Sequence, residues 1–271
     1  MPDEPAPTQP AKKPGLIVAF RAMPNDSTEK TLIVALALCL VCSVLVSTAA
    51  VALKPLQIRN QELDKQVNLL EVAGLLRPGK SIDELFKQVE PKVVDLATGK
   101  VAENVDAAQY DQRLAAKDPA QSIEILPDRD VAGIRRRAKY ATVYLVKEGD
   151  KTKYLILPIH GSGLYSVLYG FLALESDGNT VFGLQYYEQG ETAGLGSEVT
   201  NPKWRSKWKG KRLFDDKGAL QIEVTKGASG DFQVDALSGA TLTSRGVTNM
   251  LHYWLGKDGF GPYLKQFRSQ G

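Results

Sequence analysis

The sequence predicts an α+β protein in which one N-terminal transmembrane helix is followed by an antiparallel-sheet domain with packed helices. Three observations lead there. An uncharged apolar stretch, TLIVALALCLVCSVLVSTAAVAL, runs from Thr31 to Leu53. From about Ala141 the runs ATVYLVKE, KYLILPIHG, YGFLALES and TVFGLQYYE are rich in β-branched or aromatic residues and are separated by Gly, Asp and Asn turns. Helical patterns starting near Leu242 and Pro262 then complete the mixed architecture.

The composition narrows the function. With 271 residues, 43% apolar and 24% charged, the chain has enough length for one anchor and one domain with a sizeable core. Its net charge of +3 comes from 34 basic and 31 acidic residues scattered along the chain. No basic stripe offers a phosphate-backbone footprint, so nucleic acid is not an expected partner. Both cysteines, Cys39 and Cys42, lie inside the apolar run, and the thiol-free remainder suits an oxidising compartment.

Residues 1–30 read as a cytoplasmic tail, disordered over the proline-rich segment 1–15 because it has little to bury. Residues 31–53 have the roughly 20-residue length that a helix needs to cross a bilayer core. Ala50-Val51-Ala52 looks like a signal-peptidase site, but an h-region runs to only about 7–15 residues, which favours a retained anchor. Lys12, Lys13, Arg21 and Lys30 precede the segment, whereas Lys54, Arg59 and Lys65 follow it. That slight bias leans toward a cytoplasmic N-terminus and an exported C-terminal domain. Cys39 and Cys42 share a helix face, yet no His, Asp or Glu nearby completes a metal site, so they read as small apolar residues.

Residues 54–140 form a helical N-terminal part of the extracytoplasmic region. An amphipathic stretch from Gln57 to Leu76 carries Leu63, Val67 and Leu70 on one side and extends the anchor helix. Gly79 and Lys80 after Pro78 stop it. Ser81 and Glu84 form a capping box that opens a short helix with Leu85 and Val89 inward, which Pro91 is expected to end. Beyond the four strands, a helical stretch holds Trp204 and Trp208, QIEVT adds a strand, and Val247, Leu251, Trp254 and Leu255 line one face of the next helix.

The most informative segment is Asp235-Ala236-Leu237-Ser238-Gly239-Ala240-Thr241-Leu242-Thr243-Ser244. It places small and hydroxyl residues at a helix start, where free amides and the positive dipole end stabilise a phosphate, and Gly239 and Ala240 allow close approach. Read alone, it is also an ordinary helix cap. Two glycine-containing stretches, His160-Gly161-Ser162-Gly163-Leu164-Tyr165 and Glu191-Thr192-Ala193-Gly194-Leu195-Gly196, follow strands. Their glycines suit positive φ or close approach to a flat ring, and equally plain tight turns. Glu191 and Thr192 fit as hydrogen-bond partners of a ring's polar edges, with Leu164, Tyr165 and Leu195 packing on it, although Glu191 also reads as a solvated loop carboxylate. His160 with Ser238 or Ser244 does not suggest a hydrolase, since neither serine sits in a G-x-S-x-G elbow. Neither His160 nor His252 suggests a metal site.

The segment 235–244 resembles the flavinylation motif of the FMN-binding domain family, and the two glycine stretches resemble that family in the same order. The resemblance covers roughly residues 141–244 and identifies 141–271 as the FMN-binding domain. Trp254-Leu255-Gly256-Lys257-Asp258-Gly259-Phe260-Gly261-Pro262-Tyr263-Leu264 is similar to the C-terminal signature of the C-type subunits of Na+-translocating NADH:quinone reductases. With the single anchor, this extends the likeness over nearly the whole chain.

The resemblance implies FMN attached covalently through its phosphate to Thr241. It also implies a cofactor platform of Leu164, Tyr165, Glu191, Thr192, Gly194, Leu195, Gly196, Ser238, Gly239, Ala240 and Thr243. Asp235, Ser238, Gly239, Ala240 and Thr241 correspond to the motif recognised by a flavin transferase, with FAD as donor and Mg2+ as activator. No catalytic acid, base or resident metal is implied. The partners implied are the other subunits of the reductase complex, the transferase and the membrane. The location implied is the bacterial inner membrane, crossed once, with the C-terminal domain periplasmic. Two other readings are a G-type subunit of the related ferredoxin:NAD electron-transport complex and a flavin-based membrane sensor. The C-terminal signature argues against the first. Thr243 stays open as an alternative acceptor, because both hydroxyls lie in the first turn of the helix.

Overall fold

The computed structural model describes residues 16–270, so the tail expected over 1–15 lies outside them. It divides into two compact units, Met1–Asn60 and Gln61–Gly271. In the first, a short helix α1 (Leu16–Ala22) precedes the long helix α2 (Thr28–Val72). Nothing in the sequence pattern announced α1. Ser27 starts α2 by accepting a hydrogen bond from the Lys30 amide at 3.3 Å, which satisfies one of the orphan donors of the first turn.

The apolar part of α2 reaches a mean hydropathy of 2.7, and its leucines and valines between Leu32 and Leu53 are exposed. A helix that is apolar all round and buries none of this stretch is compatible with a membrane anchor. Among the described residues it alone is long and apolar enough to cross a membrane. At 45 residues it spans about 68 Å, roughly twice a hydrocarbon core. Its length therefore includes the expected amphipathic extension. Pro55, which cannot donate to the Val51 carbonyl, falls just beyond the apolar stretch.

The second unit contains the last turns of α2, followed by α3 (Ile82–Phe86), β1 (Val89–Asp95), α4 (Gln112–Lys117), β2 (Ser122–Glu124) and β3 (Arg136–Ala138). Four longer strands come next: β4 (Tyr140–Glu148), β5 (Lys151–Ser162), β6 (Val167–Glu175) and β7 (Val181–Glu188). Then come α5 (Pro202–Arg205), β8 (Glu223–Thr225), β9 (Gln233–Asp235), α6 (Thr241–Leu255) and α7 (Gly261–Gln270). The main sheet is antiparallel in the order β1-β4-β5-β6-β7, with a two-stranded β2-β3 pair and a parallel β8-β9 pair beside it.

Four local expectations change. The helix α2 ends at Val72, where Gly74 at a φ of +64° turns the chain, before the expected stop at Pro78-Gly79-Lys80. Residues 54–140 are not only helical, because β1 pairs with β4 along its whole length, from Val89↔Val146 to Asp95↔Tyr140. Pro91 lies inside β1 instead of ending α3, which stops at Phe86. An edge strand tolerates a residue without an N–H, and β1 is the edge of this sheet. Only half of the capping box forms: Ser81 accepts from the Glu84 amide at 3.2 Å, while the Glu84 carboxylate pairs with Lys80.

The period of two along the strands makes two cores. Leu155, Leu157 and Ile159 of β5, with Leu168, Leu172 and Leu174 of β6, face α6 and α7. Ile156, Phe171 and Ala173 point the other way, against Leu69, Leu70 and Val72 of α2 and Leu85 of α3. The expected face of α6, Val247, Leu251, Trp254 and Leu255, is buried in the first core together with Met250. Tethering this helix to the middle of the sheet holds its N-terminus at the end of β5.

Candidate flavin-binding site

The three motif stretches meet at the N-terminus of α6. The agent is Glu191, which is only 8% exposed. Its Oε1 accepts from the amides of Tyr165 and Ser166, each at 3.0 Å, and from the Ser166 hydroxyl at 3.0 Å. Its Oε2 accepts from the Leu164 amide at 3.1 Å and from the Thr243 hydroxyl at 2.7 Å. One carboxylate thus ties the loop after β5 to the first turn of α6. The carboxylate is neither the solvated loop group nor the free partner for a ring's polar edge that the sequence allowed, because its bonds are made to the loop and the helix. Burial pushes the Glu191 pKa up, but the Thr243 hydroxyl and the Tyr165, Leu164 and Ser166 amides outweigh it and leave the group below the usual carboxylate range.

Glu191→Gln is therefore expected to cost about 1–3 kcal/mol, because an amide nitrogen would face donors that need an acceptor. The sign of the pH dependence follows from the lowered pKa. The contribution of Glu191 is present above the unfolded value of about 4.3 and is lost as pH falls through the folded value. Thermal melts of wild type and Glu191→Gln should differ most above about pH 5 and converge in stronger acid. A constant gap across that range would contradict the assignment.

Glycines permit the close approach. A Cβ on Gly163 would lie 2.6 Å from Glu191 Oε1, and one on Gly196 would lie 2.6 Å from Glu191 Oε2 and 2.7 Å from Thr243 Oγ1. A Cβ on Gly246 would overlap the Ser162 carbonyl, so α6 lies directly on the end of β5. Gly194 and Gly239 have φ of +74° and +73°, the left-handed turns that redirect each loop toward the helix. Ser166, Gly163 and Gly246 are the positioning residues that sequence reasoning missed. Gly163 lay within a quoted motif, but nothing in the sequence paired it with Glu191 across the intervening strands.

Thr241 is exposed as the first residue of α6, and the N-cap Ala240 supplies no side-chain hydrogen bond. The amides of this turn are therefore open to an acceptor from outside. Thr243 is only 1% exposed and its hydroxyl is committed to Glu191, so the two threonines differ in what they can offer. Ser238 and Gly239 are exposed beside Thr241, and Thr192 and Gly194 are exposed on the neighbouring loop. Leu164, Tyr165, Leu195 and Leu242 are all exposed as well, Tyr165 at 73%. Leu195 reaches this turn directly: a Cβ on Gly239 would meet its Cδ2 at 3.0 Å. An uncapped helix start beside exposed apolar side chains fits a phosphate joined to a flat apolar ring.

Asp235 lies at the end of β9. Its carboxylate is 3.1 Å from Lys207 Nζ and accepts from the Ala228 amide at 3.1 Å. Its carbonyl accepts from Trp204 Nε1 at 2.7 Å. Ser244 is buried, with Oγ accepting from the Leu237 amide at 2.9 Å, which removes it as a nucleophile. The His160 ring stacks on Tyr169 at 5.2 Å, and burial, then the charge of Arg113, lowers its pKa to about 4. It stays neutral near pH 7. His252 is exposed, with Nε2 2.8 Å from the Ile222 carbonyl.

A sheet backed by a helix whose bare N-terminus opens on an apolar surface defines a flavin-phosphate-binding class of protein, and residues 163–256 match the model of the FMN-binding domain. The C-type subunit of the Na(+)-translocating NADH-quinone reductase of Vibrio vulnificus is 54% identical over 91% of this chain and 98% of its own length. Its counterpart from Neisseria meningitidis is 52% identical over 91% and 97%. The crystal structure of Shewanella oneidensis NqrC aligns with a TM-score of 0.71 at 38% identity, covering 78% of this chain and 99% of that one. The chain belongs to the NqrC family, the C-type subunits of the Na(+)-translocating NADH-quinone reductases.

Proposed function

We propose that this chain is the membrane-anchored flavoprotein subunit of a Na+-pumping NADH:ubiquinone reductase, relaying electrons through FMN held by a phosphoester to Thr241 Oγ1. The observation that carries the covalent reading is the contrast between the two threonines. Thr241 presents its hydroxyl at an uncapped helix start, while the hydroxyl of Thr243 is buried on Glu191. Forming the ester would move the FMN moiety of FAD onto Thr241 Oγ1, with loss of the hydroxyl proton and departure of AMP. A separate flavin transferase with Mg2+ would perform that step, and Asp235 and the turn 238–241 are the residues offered to it.

Bound FMN would supply the redox chemistry. The residues of the chain do the rest. The open amides at the start of α6 bind the phosphate, Gly239 leaves room for it, and Leu164, Tyr165, Leu195 and Leu242 exclude water from an apolar ring. Glu191 and Thr243 hold the two loops against the helix. The shallow site suits exchange of electrons with neighbouring subunits, so the chain is not catalytic alone. Membership of the NqrC family favours this complex over the ferredoxin:NAD complex and over a sensor.

The anchor is read as crossing the bacterial inner membrane once, with the C-terminal domain periplasmic. The basic residues before Thr31 and the absence of cysteine after Cys42 support that orientation. Protease added to spheroplasts is expected to digest residues 61–271 and to spare them in intact cells. Survival of the domain in spheroplasts with an intact inner membrane, with digestion only after detergent is added, would reverse the orientation. Purification through a tag on this chain should recover several integral membrane partners, whereas recovery of the chain alone would favour the sensor.

A further inference from the structure

A second concavity shares no lining residue with the flavin platform, although Ser162 and Val167 of its wall flank the loop 163–166. The last β4-β5 pair is Tyr144↔Ile156, and β5 continues beside β6 alone as far as Ser162. Pro158 has no N–H with which to extend the lost ladder. The strands therefore leave a cleft of about 730 Å³, within the size range of small-molecule sites at roughly 300–1,000 Å³.

Its lining is strongly one-signed, with five basic side chains and the single carboxylate of Asp111. Asp111 is already committed, accepting from the Arg113 and Leu114 amides at 2.7 and 3.1 Å as the cap of α4. Arg113 is matched by Glu188, at 2.7 and 3.0 Å, and its guanidinium lies 3.7 Å over the Tyr169 ring. Arg136 is matched by Ser122 and Glu124. Lys65, Lys117 and Arg135 take part in none of the ion pairs among the described residues. Three cations outside any ion pair, with Asp111 as the one lining carboxylate acting on Lys65, leave the concavity net positive and favour an anionic occupant.

Two features point to a ligand rather than to a solvated charged surface. Tyr144 lines the cleft at 9% exposure, and its hydroxyl has no protein partner among the described residues. The oxygen opens into the cleft rather than being sealed in the core, so it is free to donate to an occupant. Burial, with a smaller push from Asp111, raises its pKa to about 12, so it is a donor near pH 7. Arg135 is the one non-glycine residue with positive φ among those described, at +61°. Asp130 holds this conformation by accepting from the Ile134 and Arg135 amides at 2.9 and 2.7 Å. The left-handed conformation costs a non-glycine residue about 1–2 kcal/mol, yet a lining cation occupies the position.

We propose that this cleft binds a small organic anion, its acid group on Lys65, Lys117 and Arg135, and its apolar body against Tyr144, Tyr187 and Pro158. The Tyr144 hydroxyl donates to an oxygen of that ligand. The site is separate from Thr241 and works whether or not flavin is attached.

The test is calorimetric titration of the full flavin-loaded chain in detergent with naphthalene-2-carboxylate, and with naphthalene-2-carboxamide as its uncharged counterpart. One molecule of the carboxylate should bind per chain, about tenfold or more tighter than the carboxamide, the scale of one charge-assisted contact. Arg135→Gly keeps the backbone conformation accessible while removing the cation, and Lys117→Gln changes only an exposed side chain; each should weaken binding about three- to tenfold. Tyr144→Phe should weaken it without loss of thermal stability. Thr241→Ala should bind as the unaltered chain does. Equal affinity for the two probes, no binding of either, undiminished binding in both cation variants, or loss of binding in Thr241→Ala would each overturn the proposal.

Discussion

Thr241→Ala is expected to abolish the ultraviolet-fluorescent band of this chain on a denaturing gel after coexpression with a flavin transferase. Thr243→Ala is expected to keep the band. The difference follows from what each hydroxyl already does. Thr241 is exposed and begins α6, so its loss removes the acceptor and leaves the packing untouched. Thr243 donates to buried Glu191, so its loss should cost about 1–3 kcal/mol of stability while the acceptor stays in place. Melting temperature and fluorescence should therefore move separately in the two variants. Loss of the band in Thr243→Ala, with retention in Thr243→Ser and Thr241→Ala, would move the acceptor to Thr243. No band in the unaltered chain beside an active transferase would remove the covalent flavin.

Gly246→Ala should be the most damaging single-methyl change near the site. The added Cβ would overlap the Ser162 carbonyl, and neither partner can yield, because one is main chain inside α6 and the other is main chain at the end of β5. Overpacking of this kind costs about 1–3 kcal/mol, which for a domain of this size lowers the melting temperature by roughly 2–12 °C. Displacing α6 would also part Thr243 from Glu191 and loosen the loop that carries Leu164 and Tyr165. Attachment should fall together with stability, in contrast to Thr241→Ala. A Gly246→Ala chain that melts and flavinates as the unaltered one does would show that α6 can shift away from β5 without cost.

The legible parts of the fold are those set by local periodicity. The apolar run of α2, the β-branched and aromatic runs of β4 to β7 and the inward face of α6 lie along consecutive residues and need no distant partner. The strand β1 was not legible, because Val89–Asp95 contains Pro91 and charged residues and becomes a strand only by pairing with β4. The cleft at Lys65, Arg135 and Tyr144 was equally hidden. Its walls come from α2, α4, a loop and several strands, brought together where a proline interrupts a ladder.

The sequence by itself determined the long apolar helix, the α+β class and the three motif stretches, since each depends on residue types within one short segment. The motif pointed to Thr241 while leaving Thr243 open as an alternative, and Glu191 had two readings. Only the tertiary structure separated them. Packing of α6 on β5 buries Thr243 and leaves Thr241 exposed, and burial of a carboxylate among donors from distant segments turns Glu191 into the knot of the site. Whether a hydroxyl is free or committed depends on neighbours far away in sequence, because hydrogen-bond satisfaction is a property of the folded interior.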